Sequence, residues 1–444
     1  MSTGSSAHRP PGSVVIVGAG QAGWQTAESL RRAKYQGSVT LLTEEPGLPY
    51  QRPPLSKGYL LGDVDARRLL YRQEKWYDTQ RVDLVHSRAV SVDRAAHTVR
   101  TEDGTVVPYE HLVLATGARG RTLPVEGADL SGVHGMRTRE DADALAGLLR
   151  PGARAVVVGA GFIGLEFAAV AAARGVDVHV LEFAERPMSR ALTAATAALF
   201  RQAHEERGVR FDFGCALASI EGDTAVDAVT TSDGRSLPAD LVVYGIGVVP
   251  NTELAQSCGL AVDDGILVDS TLLTEDPDVS ALGDAVRFPC AAAQGAPTRL
   301  ESVQNAADQA RHVAARLTGG EGASAYTALP YTALPWFWSD QGDLHLQIAG
   351  LSTGCDRVVD VPGVGEDEKV VLCFTGERLV AVETVNRPAD HMAARRLLAV
   401  DGAPRTALTP EVAEEPGFDL VAWEAAVTRE HPQAEAPRTT GVHA

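Results

Sequence analysis

Two sets of three glycines carry the first chemical information in this chain. Gly18, Gly20 and Gly23 form one G-x-G-x-x-G run, and Gly159, Gly161 and Gly164 form a second. In such a run the first glycine permits a tight turn, the second lets the backbone approach a pyrophosphate, and the third lets helix and strand pack closely. The helix that follows offers unpaired N–H groups and a positive dipole end to the phosphates. The motif means little alone and a good deal between a strand and a helix. Both copies have that setting. The apolar run Val14–Val17 leads into the first, with a helical pattern over Trp24–Ala33 and a strand over Ser38–Thr43. Ala155–Val158 leads into the second, with a helix over Leu165–Arg174 and a strand over Val176–Leu181. An acid stands just beyond each second strand, Glu44 (or Glu45) in the first unit and Glu182 in the second. A carboxylate at that point accepts hydrogen bonds from ribose hydroxyls.

Two complete units imply two dinucleotides. The natural pair is a flavin and a nicotinamide, because hydride passes from one to the other. Gly283-Asp284, placed after the apolar run Val279–Leu282, supports FAD, since an Asp there can hold ribityl hydroxyls. Glu182 would repel the 2′-phosphate of NADP, which favours NADH. Losing a charged hydrogen bond costs roughly 1.5–3 kcal/mol. Arg186 and Arg190 lie a few residues on and could grip a phosphate, so NADPH is the second choice.

The cysteines decide where the electrons go. The five are Cys215, Cys258, Cys290, Cys355 and Cys373, an odd number with no C-x-x-C. That argues against a disulfide framework, a zinc site or a cysteine-ligated cluster, and no metal is expected. Disulfide-reducing flavoenzymes need a cysteine pair beside the flavin, and no Cys precedes Cys215. Reducing equivalents on this flavin must leave for an external acceptor.

The elements that would position these groups suggest an α/β chain with two Rossmann-type units and a C-terminal α+β domain. At 444 residues, two or three domains are expected. The sequence divides as a disordered lead-in at 1–12, a discontinuous FAD-binding domain at 13–121 and 252–325, an NAD-binding domain at 122–251, a C-terminal domain at 326–425 and a polar tail at 426–444. Strands at 111–115 and 240–244 and a helix at 303–317 complete the outline. Tyr326-Thr-Ala-Leu-Pro330 is repeated directly as Tyr331-Thr-Ala-Leu-Pro335, which is too short for a solenoid and suits a duplicated linker. A net charge of −18 argues against nucleic acid as a partner. The N-terminal residues lack an apolar signal core, and the most apolar stretch, 162–173, is short and carries Glu166. A cytoplasmic protein without a membrane span is expected.

Several longer runs resemble the NADH-dependent ferredoxin reductases of bacterial oxygenase systems, from about Ser13 to Leu398. They are Pro49-Tyr-Gln-Arg-Pro-Pro-Leu-Ser-Lys57, Ala115-Thr-Gly-Ala-Arg119, Gly245-Ile-Gly-Val-Val-Pro-Asn251, Arg299-Leu-Glu-Ser-Val-Gln-Asn-Ala306, Pro335-Trp-Phe-Trp-Ser-Asp340 and Val385-Asn-Arg-Pro388. The tryptophan run is the most diagnostic. The resemblance implies a glutathione-reductase-like flavoprotein fold. It also implies that Arg52, Lys57, Thr116, Gly117, Arg121, Asp284 and the backbone of Val303 meet FAD. Trp336 or Trp338 would cover the isoalloxazine. Glu166, Ile163 and Gly247 would meet NAD, with Lys57, Glu166 and Trp336 at the reacting centre. A Lys close to flavin N5 favours the reduced, anionic form by charge. The implied partner is an acidic [2Fe-2S] or similar ferredoxin that feeds a P450 or a ring-hydroxylating dioxygenase. Arg67, Arg68, Arg72, Arg311, Arg395 and Arg396 are the docking charges to consider. Gly120 stands where many relatives have Pro, and the duplication at 326–335 is unusual at that place. Two other readings remain at this stage: an NADH oxidase or quinone diaphorase, and an interaction flavoprotein like apoptosis-inducing factor. Both monomers and homodimers occur in such a family.

Overall fold

The computed structural model describes residues 9–319, 329–362, 365–399 and 407–430. Most of the lead-in expected at 1–12, the start of the first repeat copy (326–328) and the end of the expected tail (431–444) lie outside the described residues. The chain's contacts divide it into two compact units. Among the described residues, one holds the chain up to Pro54, Val64–Arg119 and Val248–Ala333; the other holds Leu55–Asp63, Gly120–Gly247 and the chain from Leu334 onward.

The first unit is built on a five-stranded parallel sheet in the order Val279–Ala281, His111–Leu114, Ser13–Val17, Ser38–Thr43, Val82–His86. Its central strands read as continuous apolar runs because both faces are covered. Val14, Val15 and Ile16 are at most 1% exposed, as are Leu112–Leu114. The helices Gln21–Arg32 and Val303–Thr318 pack against each other. A small antiparallel sheet of Ala89–Asp93, Thr98–Thr101 and Val106–Pro108 joins them.

The second unit repeats the plan. Its parallel sheet runs Arg210–Phe213, Asp177–Glu182, Arg154–Val158, Leu241–Tyr244, Val133–Gly135. The same unit contains a five-stranded antiparallel sheet, ordered Trp336–Gln341, Leu344–Gly350, Arg378–Val385, Lys369–Thr375, Arg357–Asp360. Helices Pro388–Ala399 and Leu420–Glu430 close its apolar face, where Leu372, Phe374, Val382 and Leu397 form part of the core.

Three boundaries differ from the sequence reading. The dinucleotide helices begin earlier, at Gln21 and Phe162, because the third glycine of each motif lies inside the first helical turn. The segment Leu55–Asp63 joins the second unit, which also takes in Gly120–Gly247 and the C-terminal sheet, expected from the sequence to lie in separate domains. Polar ties explain both: Arg174 donates to the Leu60 carbonyl at 2.7 Å, Tyr59 donates to Asp143 at 2.6 Å, and Thr193 donates to Glu383. Finally, helix Leu420–Glu430 runs through the expected start of the tail at 426.

Candidate functional site

In the first unit the glycine turn is fixed by crowding. Gly18 has φ +102°, and a Cβ there would lie 2.3 Å from the Ala115 carbonyl oxygen. A Cβ on Gly23 would lie 1.8 Å from the Gly18 oxygen, so only glycine lets helix and strand approach this closely. Gly20 has nothing within 4 Å of its missing Cβ. That open face, at the start of helix Gln21–Arg32, is the cradle a pyrophosphate needs.

The two acids after Ser38–Thr43 differ in state. Glu45 is engaged by the Tyr50 hydroxyl and the Arg52 guanidinium. Glu44 is exposed, 3.5 Å from Arg88, and lines a cleft of about 530 Å³ with His86, Ser87 and Arg88. Of the two, Glu44 is the more exposed. Arg52, expected at the flavin, is thus half-buried against Glu45.

Thr116 and Gly117 are clipped to a residue the role assignment missed. Thr116 donates its hydroxyl to the Asn251 carbonyl at 2.6 Å, and Asn251 returns a side-chain N–H to the Thr116 carbonyl at 2.9 Å. Asn251 N–H also donates to Gly117 O at 2.9 Å. Asp284 is half-buried in the turn Gly283–Ala285, and Gly283, at φ +80°, donates its N–H to buried Gln309. Val303 opens its helix behind the Ser302 cap. Tyr331, from the second repeat copy, is buried in this unit. Its N–H meets the Ser270 carbonyl at 2.6 Å and its hydroxyl meets Asn305 at 3.2 Å. The repeat therefore has one copy whose tyrosine is part of the unit's core.

In the second unit a Cβ on Gly164 would lie 2.1 Å from the Gly159 oxygen, whereas one on Gly161 would meet only Gly245 O at 3.8 Å. The tight and open positions match those of the first turn. Glu182 accepts the N–H of Ala160 at 2.6 Å and of Ala184 at 2.8 Å, which holds its carboxylate at the glycine turn. Ile163 and Phe183 are exposed there, Phe183 at 79%. Arg186 is held by the carbonyls of Leu192 and Ser189. Gly247, at φ +96°, has the guanidinium groups of Arg190 and Arg121 beside it. Arg121, assigned to FAD by the resemblance, therefore stands next to Gly247, whose carbonyl its own N–H meets at 3.0 Å.

Glu166 is the most enclosed of these groups, at 3% exposure. It receives Lys57 Nζ at 2.7 Å, the Ser56 hydroxyl at 2.5 Å and the Ser339 hydroxyl at 2.7 Å. Removing a charge from water costs several kcal/mol unless pairing and hydrogen bonds compensate, and here they do. Ser56 and Ser339 were not singled out in the sequence, although both lie in the runs ending at Lys57 and Asp340. The Ser339 oxygen accepts from Gln341, which in turn accepts from His204 Nε2. Trp336 and Trp338 sit two apart on one strand, so both point to one face; their rings are 5.3 Å apart. Trp336 also meets the His391 ring edge-on, and the Arg395 guanidinium lies 4.6 Å over it.

Comparison with known proteins supports the two-unit fold with its C-terminal domain. Residues 12–310 match the family described as pyridine nucleotide-disulphide oxidoreductase. The chain belongs to that family. Residues 336–422 match the reductase C-terminal family. The chain is 47% identical to rhodocoxin reductase of Rhodococcus erythropolis, over 92% of this chain and 93% of that one. It is 38% identical to putidaredoxin reductase of Pseudomonas putida, over 87% and 91%. Among solved structures, the ferredoxin reductase for the CYP199A2 system of Rhodopseudomonas palustris matches with TM-score 0.87 and 46% identity, covering 92% of this chain and 98% of that one. Two Rossmann-type units with a C-terminal domain, and an oxidoreductase working with a flavin and a nicotinamide nucleotide, follow from these matches together.

The remaining sequence expectations are placed as follows. Arg67 and Arg68 lie on the short helix Ala66–Leu69, capped by Asp65. Arg72 lies over Trp24, Arg311 pairs with Asp308, and Arg396 makes two bonds to Glu424. Among the described residues no three His, Cys, Asp or Glu side chains gather as metal ligands, and no helix is long and apolar enough to cross a membrane.

Proposed function

We propose that the chain is an FAD-dependent NADH:ferredoxin reductase that serves a P450 or a ring-hydroxylating dioxygenase. The observation that carries the reading is a complete pair of dinucleotide units in a chain with no cysteine before Cys215. A flavin accepts a hydride from a nicotinamide and can return the electrons singly, and this chain offers them no thiol pair beside the flavin-binding motif. The relatives named above, reductases of a rhodocoxin, a putidaredoxin and a P450 system, support a small iron–sulfur protein as the acceptor.

The chain's own residues contribute binding, orientation and charge. Gly20 and the helix behind it take the FAD pyrophosphate, Glu44 the adenosine ribose, and Asp284 the ribityl chain. Thr116 and Gly117, held by Asn251, shape the flavin's surroundings. Gly161 and Ile163 take the nicotinamide dinucleotide, and Glu182 its ribose. Positioning is the larger part of catalysis in hydride transfer. Lys57, fixed by Glu166, supplies positive charge for the reduced flavin, and Ser56 and Ser339 hold Glu166 in place.

Glu182 supports NADH over NADPH. Both of its oxygens are held by backbone N–H groups, so its charge cannot swing away from a 2′-phosphate, and Arg186 is occupied by carbonyls. The test is an anaerobic titration of the flavin-loaded protein with NADH and with NADPH, followed by flavin absorbance, then turnover with an acidic [2Fe-2S] ferredoxin. Bleaching at near-stoichiometric NADH and ferredoxin-dependent cytochrome c reduction are expected. Rapid turnover with oxygen and indifference to ferredoxin would overturn the assignment of the acceptor.

A further inference from the structure

Three buried polar side chains of the second unit form a chain of hydrogen bonds that ends on Glu166. Ser339 and Gln341 stand two apart on strand Trp336–Gln341 and so share a face, and both are fully buried. His204, also fully buried, meets them from helix Ala194–Glu206. The Ser339 hydroxyl lies 2.7 Å from Glu166 Oε1, Gln341 Nε2 lies 3.2 Å from Ser339 Oγ, and His204 Nε2 lies 2.8 Å from Gln341 Oε1. Lys57 and Ser56 both sit on the other carboxylate oxygen, Oε2. Ser339 therefore holds Oε1.

Each bond in this chain has one workable direction. An ionised carboxylate accepts and cannot donate, so Ser339 gives its single hydroxyl proton to Glu166 and receives from Gln341. Gln341 Nε2 also lies 3.5 Å from Met188 Sγ, and a thioether only accepts. The amide N–H groups thus face Ser339 and Met188, and the amide oxygen faces His204. His204 must then carry its proton on Nε2. Its Nδ1 is buried with no partner among the described residues, where a proton would be stranded. Burial, aided by the charge of Arg207, lowers the ring from an ordinary 6.5 to about 4, so it is neutral at pH 7.

We propose that His204 and Gln341 are positioning residues for Glu166, aiming the Ser339 hydroxyl so that the carboxylate keeps one orientation towards Lys57. The inference rests on the role given above to Lys57 and Glu166. Without the His204 N–H, the Gln341 amide is free to turn and take the Ser339 proton onto its own oxygen. Glu166 then loses its donor on Oε1 and is held from Oε2 alone. Glu182 is fixed separately, by Ala160 and Ala184, so NADH binding should be spared while hydride transfer suffers.

Two measurements on the flavin-loaded protein test this. With 15N-labelled histidine, the ring signal missing from His204→Gln should belong to a neutral imidazole protonated on Nε2. A proton on Nδ1, or a charged ring, at pH 7 would overturn the proposal. In stopped-flow, His204→Phe is expected to slow flavin bleaching by NADH about tenfold, the value of a hydrogen bond to a charged group, with the NADH Kd unchanged. His204→Gln, whose amide can donate, should retain most of the rate. In a Ser339→Ala background His204→Phe should add nothing, because the route to Glu166 is already cut. Slowing that multiplies in the double variant would overturn the proposal, since His204 would then act by packing alone. No bleaching of the unsubstituted protein by NADH would overturn the proposed function and this inference with it. Full bleaching that His204→Phe leaves unchanged would overturn this inference alone.

Discussion

The Lys57 ammonium and the Glu166 carboxylate are 2.7 Å apart, with Glu166 only 3% exposed. Truncating one partner strands the other, at a cost of about 3–5 kcal/mol. Glu166→Ala is expected to lower unfolding stability by that order in urea titration, and the double variant Lys57→Met with Glu166→Leu to recover much of it. Hydride transfer, followed by stopped-flow bleaching of the flavin, should stay impaired in the double variant. Recovery of the rate together with stability would show that the pair acts only in folding.

The two open glycines and the two crowded ones should part company on substitution. Gly23→Ala places a methyl carbon 1.8 Å from the Gly18 oxygen and is expected to destabilise the protein even without flavin. Gly20→Ala meets nothing within 4 Å, so stability should hold while FAD retention on gel filtration falls. Equal loss of flavin-free stability in both variants would count against Gly20 as the pyrophosphate cradle.

Glu182→Gln keeps the shape of the side chain and removes its charge. NADH affinity is expected to fall roughly tenfold to a hundredfold, the value of a charged hydrogen bond, and the preference for NADH over NADPH to shrink. Binding constants from anaerobic titration check both. An unchanged NADPH constant would remove Glu182 from the discrimination.

Burial lowers His204 and His391 from an ordinary 6.5 to about 4. Both stay neutral in the folded chain while the unfolded chain takes up protons below pH 6.5. Stability is therefore full above about pH 6.5 and falls as the pH drops towards 4, by up to about 3 kcal/mol for each histidine. His391, with both ring nitrogens unpartnered among the described residues, is the cleaner test. Its replacement by Phe should flatten the acid limb of a stability–pH profile measured by denaturant titration.

Of the arginines considered for docking, Arg396 is committed to Glu424 and Arg311 to Asp308, whereas Arg67 lies on the short capped helix Ala66–Leu69 with no carboxylate within ion-pair distance among the described residues. Arg67→Glu is expected to raise the KM for an acidic ferredoxin at low salt, with the difference shrinking as salt screens it. Arg396→Glu should instead lower stability.

The sequence alone determined the two dinucleotide units. Strand, glycine turn, helix and terminal acid are adjacent along the chain, and local sterics fix the turn, so Gly18–Gly23 and Gly159–Gly164 were legible with the strands that flank them. The tryptophan run and the absence of early cysteines were legible for the same reason, since both are properties of neighbouring residues. Tertiary structure decided what depends on distant partners. It left Glu44 more exposed than Glu45, because Tyr50 and Arg52 engage Glu45. It gathered Ser56, Lys57 and Ser339 around Glu166 from segments up to 173 residues away. Burial makes such distant choices strict, because a charge or donor removed from water must find its partner wherever the chain brings one.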